Sequence, residues 1–400
     1  MKHNDIVIFS TADWDNPFWT NKQHVALELN KRGHRVFYID SVGLRRPSTA
    51  SADLKRIVGK VKKACGGPQK IEDNLWVWSP LIIPLHYFRV VTTVNRMILN
   101  ATLHFWLRRL NFRTDILWTY NPMTTRLINI SKFTYIVYHC VDEIKAQPGM
   151  PGNMIEKAEE ELLKKADIVF TTSSQLLKSR KVLNPRSYYF PNVADHDHFS
   201  RALLHGTIVP DDLRVIQPPR IGFIGAISSY KVDFNLIAYV ARAHPDWSVV
   251  LIGKVGEGDP WTNIENIKNL PNVFILGPRP YTQLPAYLKG IDVAILPNQL
   301  NAYTQAMFPM KFFEYLAAGK PIVSVNLPAL REYSDMAYLA KSYEDFVLGI
   351  EKALNDSVEK RIRRSMIASQ YTYKSRTEQM MLIIEKELAL ESTSKTLESE

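Results

Sequence analysis

Five short apolar runs follow one another after Pro218, and each breaks off at or near a glycine or proline: Arg220–Gly225 (RIGFIG), Ser248–Gly253 (SVVLIG), Asn272–Gly277 (NVFILG), Asp292–Pro297 (DVAILP) and Pro321–Val325 (PIVSV). Their apolar residues are consecutive rather than alternating, the pattern of strands buried on both faces. Between them, Phe234–Ala243, Gln283–Lys289 and a segment from about Pro309 to Ala318 carry helical periodicity. Strands and helices in strict alternation build parallel sheets with helices on both sides. The first half repeats the pattern, with strands expected at Ile6–Ser10, Arg35–Asp40, Ile116–Tyr120, Tyr135–Val141 and Ile168–Ser173. Helices are expected there at Asn21–Arg32 and Asn153–Lys165. The fold class is therefore α/β, with two Rossmann-like domains. The expected division is 1–205 for the first domain, 206–375 for the second and 376–400 for a C-terminal helix and tail. Residues Val358–Leu390 read as amphipathic helix packing across the domains, and the polar SKTLESE end reads as disordered.

A chain of 400 residues, 46% of them apolar, supplies two cores. Its two cysteines, Cys65 and Cys140, make no disulfide framework and match no zinc or redox spacing, so a reduced, cytoplasmic setting is expected. The N-terminus lacks the apolar stretch of a signal peptide, and no apolar run nears the roughly 18 residues that span a bilayer. The net charge of +10 is local: from Arg45 to Lys132 there are 15 Lys and Arg against 4 Asp and Glu. An excess confined to one region points to an anionic partner. Within 53–113, basic residues interleave with large apolar ones, in DLKRIVGKVKKACGG and YFRVVTTVNRMILNATLHFWLRRLNFR, as on helices lying in a membrane interface. The alternative for the second stretch is a core helix with exposed arginines. RNA-binding motifs are absent, so no nucleic acid is expected and an anionic lipid surface is. That places the protein peripherally at the inner face of the cell membrane.

The segment FPMKFFEYLAAGKPIVSV (Phe308–Val325) poses a problem of charge. Lys311 falls in the first turn of its expected helix, where a cation opposes the macrodipole. Two explanations stand: a salt bridge to Glu314, three residues on, or an anion bound where Lys311 and the helix start converge. In the second case Glu314 would accept hydrogen bonds from a polyol such as ribose. Ligands of open parallel sheets bind beyond the carboxyl ends of strands. The loops after Gly225, Gly253, Gly277 and Pro297 are then the candidates, with Arg279, Lys311 and Glu314 expected around one crevice. Gly225 either lets backbone approach a phosphate or turns the chain. Asp233 reads as an N-cap for Phe234–Ala243. In YHCVDE, His139 and Asp142 end a strand where a general base is useful, or where a carboxylate is merely structural. His196 and His198 in ADHDHF read as loop residues rather than metal ligands, and no metal site is expected anywhere.

As a set, the second-half motifs resemble bacterial glycosyltransferases of the GT-B fold, particularly the large retaining family 4 and the teichuronic acid and exopolysaccharide biosynthesis enzymes. They are PNVADHDHF, RIGFIGAISSYKVDFNLI, NVFILGPRPYTQLPAYLKGIDVAILP and FPMKFFEYLAAGKPIVS; ADWDNPFWTNKQH and YHCVDE in the first half also fit. The resemblance implies two Rossmann-like domains facing each other across a cleft, an N-terminal acceptor-binding one and a C-terminal donor-binding one. It implies transfer of a hexosyl group from a nucleotide-diphosphate sugar, UDP-linked, to a cell-surface polysaccharide, glycan or polyprenyl-linked acceptor, without metal or other cofactor. The donor would be held by Gly225, Lys231, Arg279, Lys311 and Glu314, with Asp142 and His139 as catalytic candidates. Three departures stand out. Ala306 replaces the first of two glutamates, Ala226 follows Gly225 where a basic residue is common, and DWDN (Asp13–Asn16) replaces an N-terminal glycine-rich loop. A sugar-nucleotide epimerase, or a partner protein that binds nucleotide without turnover, would share the architecture.

Overall fold

The structure, a computed structural model, describes residues 3–16, 19–43, 59, 63–64, 66–83 and 88–397. It divides into two compact units. The first comprises residues up to Thr172, Leu176–Phe190 and Arg376 onward; the second comprises Ser173–Gln175 and Pro191–Ser375.

In the first unit the strands are β1 (Asp5–Phe9), β2 (Arg35–Ile39), β3 (Gln69–Glu72), β4 (Leu75–Trp78), β5 (Ile116–Thr119), β6 (Tyr135–Cys140), β7 (Ile168–Thr171) and β8 (Ser187–Tyr189). They lie in the order β3-β4-β2-β1-β5-β6-β7-β8. All neighbours are parallel except β3 and β4, an antiparallel hairpin turned at Asn74 with φ of 66°. The helices include α1 (Asn21–Lys31), α2 (Arg89–Arg109), α3 (Gly152–Lys165) and α4 (Ser174–Lys181). On α2, Leu99, Leu103 and Leu107 recur every four residues, so they share one face and bury it against Phe37, Phe112 and Leu117.

The second unit is a six-stranded, wholly parallel sheet. Its strands are β9 (Arg220–Ile224), β10 (Ser248–Ile252), β11 (Val273–Gly277), β12 (Val293–Leu296), β13 (Ile322–Val325) and β14 (Tyr338–Ala340), in the order β11-β10-β9-β12-β13-β14. Val249, Val250 and Leu251 on β10 are wholly buried, each burial contributing about 1.5–3 kcal/mol. The helices here are α5 (Phe234–Ala243), α6 (Leu284–Gly290), α7 (Ala302–Ala306), α8 (Lys311–Ala317), α9 (Tyr343–Leu354) and α10 (Val358–Ala368). Asp233 caps α5 as expected, its carboxylate accepting from the N–H groups of Asn235 and Leu236 at 3.0 and 3.1 Å.

Two expectations about organisation are corrected. The N-terminal part of the first unit runs to Phe190 rather than to near 205, because the chain from Pro191 to Ser375 packs with the second, and Arg376 onward rejoins the first. The final helical segment is two helices rather than one, and α11 (Tyr373–Leu397) begins in the second unit and continues into the first. Its Met380, Met381 and Ile384 complete the core around β1 and β5, and Arg376 donates to the Asn21 side chain at 2.7 Å. Helix extends into the first four residues of the SKTLESE tail; the last three lie outside the described residues.

Candidate active site

In the second sheet β9 has β10 on one side and β12 on the other, so the loops after β9 and β12 diverge at a switch point. A crevice opens there in sheets of this type. The two loops are sewn together. Asp233 N–H donates to Pro297 C=O at 2.8 Å, Gln299 N–H to Lys231 C=O at 3.0 Å, and the Asn301 side chain to Tyr230 C=O at 2.7 Å. This stitching sets Lys231 with its ammonium over the rings of Tyr230 and Tyr303, 5.2 and 5.7 Å from their centroids. A cation held by aromatic faces keeps its charge available to an anion. Beside it, the Ser228 hydroxyl and the Asn298 carboxamide oxygen are buried without a hydrogen-bond partner among the described residues. Buried polar atoms left this way mark a place where a polar ligand fits.

The floor of this edge is made by glycine. Gly225 donates its N–H to Ile252 C=O at 2.9 Å, and Gly253 donates to Gly277 C=O at 3.0 Å, so three strand-end glycines lie in a row. At Gly253, φ is 155° and a Cβ would stand 1.8 Å from the Gly225 carbonyl oxygen. No side chain fits.

Helix α8 is tied to the same edge: the Tyr315 hydroxyl accepts from Ile224 N–H at 2.9 Å, immediately before Gly225. Gly319, with φ of 67°, ends the helical turn into β13. The charge puzzle at Lys311 has a definite geometry. Its Nζ is 2.7 Å from Glu314 Oε2, and the glutamate side chain is only 6% exposed. The salt bridge is real, but a carboxylate this buried is not an ordinary surface partner. Because α8 spans two turns rather than the ten residues expected, its macrodipole is weak and the positive charge resides on Lys311 itself.

Arg279 has partners of its own in the structure. β11 is an edge strand, three places from β12, and its following loop turns the guanidinium to the Asp212 carboxylate and the Tyr287 hydroxyl, the latter at 2.6 Å. No hydrogen bond or ion pair among the described residues joins Arg279 to Lys311 or Glu314. His198, from the ADHDHF segment, stacks on Tyr281 with centroids 4.2 Å apart and bonds its backbone carbonyl, while His196 contacts Ser365. Among the described residues no cluster of His, Cys, Asp or Glu could hold a metal ion.

In the first unit the two catalytic candidates part company. His139 is wholly buried between Trp118, Tyr120 and Phe170, with neither ring nitrogen hydrogen-bonded. Burial drives its pKa well below the usual range, with Arg376 and Lys22 acting the same way, so the ring is neutral. It has no surface through which to exchange a proton with a substrate, and it is a core residue. Asp142 is half-buried just past β6, between two anchored neighbours. The Val141 carbonyl accepts from the Thr172 hydroxyl at 2.8 Å, and Glu143 is gripped by Arg180 at 2.7 and 2.9 Å.

At the end of β2, Asp40 accepts from Trp14 N–H at 2.7 Å and from the Ser79 hydroxyl, pinning the DWDN loop. Burial raises its pKa to about 6 despite those two donors. Asp40, Ser228 and Arg180 were all invisible as site residues in the sequence. Ser228 lies in the loop after Gly225, already a candidate by the strand-end rule, but nothing local distinguishes it from its neighbours there.

The strand orders and the stitched crevice define a class of fold, that of the GT-B glycosyltransferases. Residues 211–372 match the family model of glycosyl transferases group 1, so the second unit carries that domain. A putative teichuronic acid biosynthesis glycosyltransferase of Bacillus subtilis (strain 168), TuaH, is 29% identical over 282 residues, covering 64% of this chain and 68% of its own. Among solved structures, the sucrose-phosphate synthase of Thermosynechococcus elongatus is similar with a TM-score of 0.66 at 13% identity, covering 97% of this chain and all of that one. Anabaena Alr3699/HepE in complex with UDP-glucose matches at 0.66 and 14%, over 96% of this chain and all of its own. These structural likenesses show the fold.

Proposed function

We propose that the chain transfers a hexosyl group from a UDP-linked sugar to a cell-surface polysaccharide or lipid-linked acceptor, without a metal. The observation that carries this reading is the ion pair of Lys311 with the buried Glu314 carboxylate, on a helix fastened to the Gly225 edge of the group 1 domain. Lys311 and Lys231 supply the positive charge that a leaving diphosphate needs, in place of a metal ion. Glu314 offers its carboxylate to the ribose hydroxyls. The choice of UDP is supported by the complexes of Alr3699/HepE with UDP and UDP-glucose, and the acceptor class by the teichuronic acid assignment of TuaH. Asp142 is the base that takes the acceptor proton, or the anion that stabilises the oxocarbenium-like centre. Its anchored neighbours fix its backbone for either task.

Calorimetric titration with UDP and uridine tests the donor site. Glu314→Ala is expected to weaken both by about 1.5–3 kcal/mol, the range of a hydrogen bond to a charged group. Lys311→Ala is expected to weaken UDP far more than uridine, a ratio in which any general loosening of α8 cancels. Equal losses for the two ligands, in a folded variant, would leave Lys311 with a structural role alone.

Turnover is read by consumption of UDP-sugars with and without a membrane lipid extract. Asp142→Asn is expected to keep donor affinity and lower acceptor-dependent turnover at least roughly tenfold, since it retains shape and removes charge. Consumption without any acceptor would indicate an epimerase instead, and near-normal turnover of the variant would clear Asp142 of a catalytic part.

A further inference from the structure

Helix α2 buries one face and leaves the other unfinished. Opposite Leu99, Leu103 and Leu107, the outward residues Val90, Val94, Met97, Ile98 and Phe105 are also apolar, and Val90, Met97 and Phe105 are 75%, 67% and 55% exposed. Their spacing, at i, i+4, i+7, i+8 and i+15, makes one stripe about 22 Å long. A solvent-facing helix ordinarily carries polar residues there, and a continuous apolar stripe marks an interaction surface.

Charge identifies the partner. Four arginines and no acidic residue lie on α2. One of them, Arg96, also lines an open groove of about 630 Å³ with Arg126, Lys157 and Lys165. Its single carboxylate, Glu161, is taken by Arg126 at 2.7 Å. A second copy of this chain would bring arginine against arginine. A nucleic acid would match the charge and leave the stripe wet. A surface that is anionic outside and apolar within satisfies both halves.

We propose that α2 docks this protein on an anionic lipid bilayer, the Val90–Phe105 stripe entering the acyl boundary and the Arg96 groove receiving lipid phosphates. Helix α2 is the second of the two stretches expected to meet a membrane; most of the 53–67 stretch, including Lys60 and Lys62, lies outside the described residues. Lys63 is described and is paired with Asp15. The docking does not depend on the donor reading, since it needs no nucleotide.

The test is co-sedimentation of the full chain with phosphatidylcholine vesicles, with and without phosphatidylglycerol, over a range of salt, with UDP affinity measured on the same samples. Binding is expected only with phosphatidylglycerol and is expected to fall as salt rises. Two double variants separate the contributions: Met97→Ser with Phe105→Ser removes the stripe, and Arg96→Glu with Lys157→Glu reverses the groove. Each is expected to weaken vesicle binding roughly tenfold or more, while UDP affinity stays at the wild-type level. Equal binding to both vesicle types, binding unchanged in both double variants, or a dimer dissolved by the stripe variant would overturn the proposal.

Discussion

Replacing Arg180 by methionine is expected to cost about 3–5 kcal/mol of stability, the loss typical of a buried charge stripped of its partner. Arg180 is 5% exposed and holds two carboxylates at once. Both its terminal nitrogens reach Glu143, at 2.7 and 2.9 Å, and one also reaches both oxygens of Glu159 at 2.9 Å. Tyr138 donates to Glu159 as well, at 2.6 Å. Methionine fills much of the space but leaves two nearly buried anions facing each other without a cation. Adding Glu143→Gln and Glu159→Gln to the variant should recover most of the loss, because the repulsion goes with the charge. Urea melts of the three proteins decide the matter. A loss below about 1 kcal/mol would mean that water reaches these carboxylates after all. The consequence extends to activity, since Glu143 adjoins Asp142 and the clamp fixes the chain on which Asp142 is presented.

Gly253→Ala is expected to destabilise the second unit on a similar scale. The new methyl carbon would lie 1.8 Å from the Gly225 carbonyl oxygen and 2.8 Å from its carbon, both backbone atoms of a paired strand. Neither can step aside without breaking the Gly225 N–H bond to Ile252. The residue's φ of 155° adds a second penalty, since that region is essentially confined to glycine. Together these exceed about 3 kcal/mol. Gly206→Ala is the matched control: nothing lies within 4 Å of its added carbon, and its effect should stay within about 0.5 kcal/mol. A soluble Gly253→Ala protein melting with the wild type would show that the β9 and β10 ends can part, and with them the floor of the crevice.

Legibility followed burial. Strands whose residues are apolar in succession, such as SVVLI and VAIL, were placed within a residue or so, because nothing but a sheet buried on both faces suits them. The β3–β4 hairpin escaped notice because β3 is QKIE, exposed along its whole length and without any apolar pattern. The short strands β8 and β14 are three residues each and carry too little signal to register. At the site, Lys311 and Glu314 were found together because their contact is three residues long and lies on one helix. The contact of Arg279 with Asp212 is not legible, because 67 residues separate the two and no local pattern encodes that distance. His139 is a catalytic candidate in the sequence because it lies at the end of a strand, where either a general base or a structural group fits. β6, however, is interior to the sheet and buried at all six positions, so a ring there faces core on either side.

The return of α11 to the first unit has a consequence for synthesis. A chain emerging from the ribosome ordinarily folds its N-terminal domain first. Here Met380, Met381 and Ile384, which fill the core behind β1 and β5, are made only after the whole of the second unit. The second unit, apart from Ser173–Gln175, is one continuous stretch from Pro191 to Ser375, and it is complete before they appear. The order of maturation is thereby inverted: the nascent first unit waits with an open apolar seam while the later one closes. The seam is sealed only once the chain has run past the second unit, so a stop codon just past the end of the group 1 match at residue 372 would damage the first unit, whose other strands lie far from it in sequence.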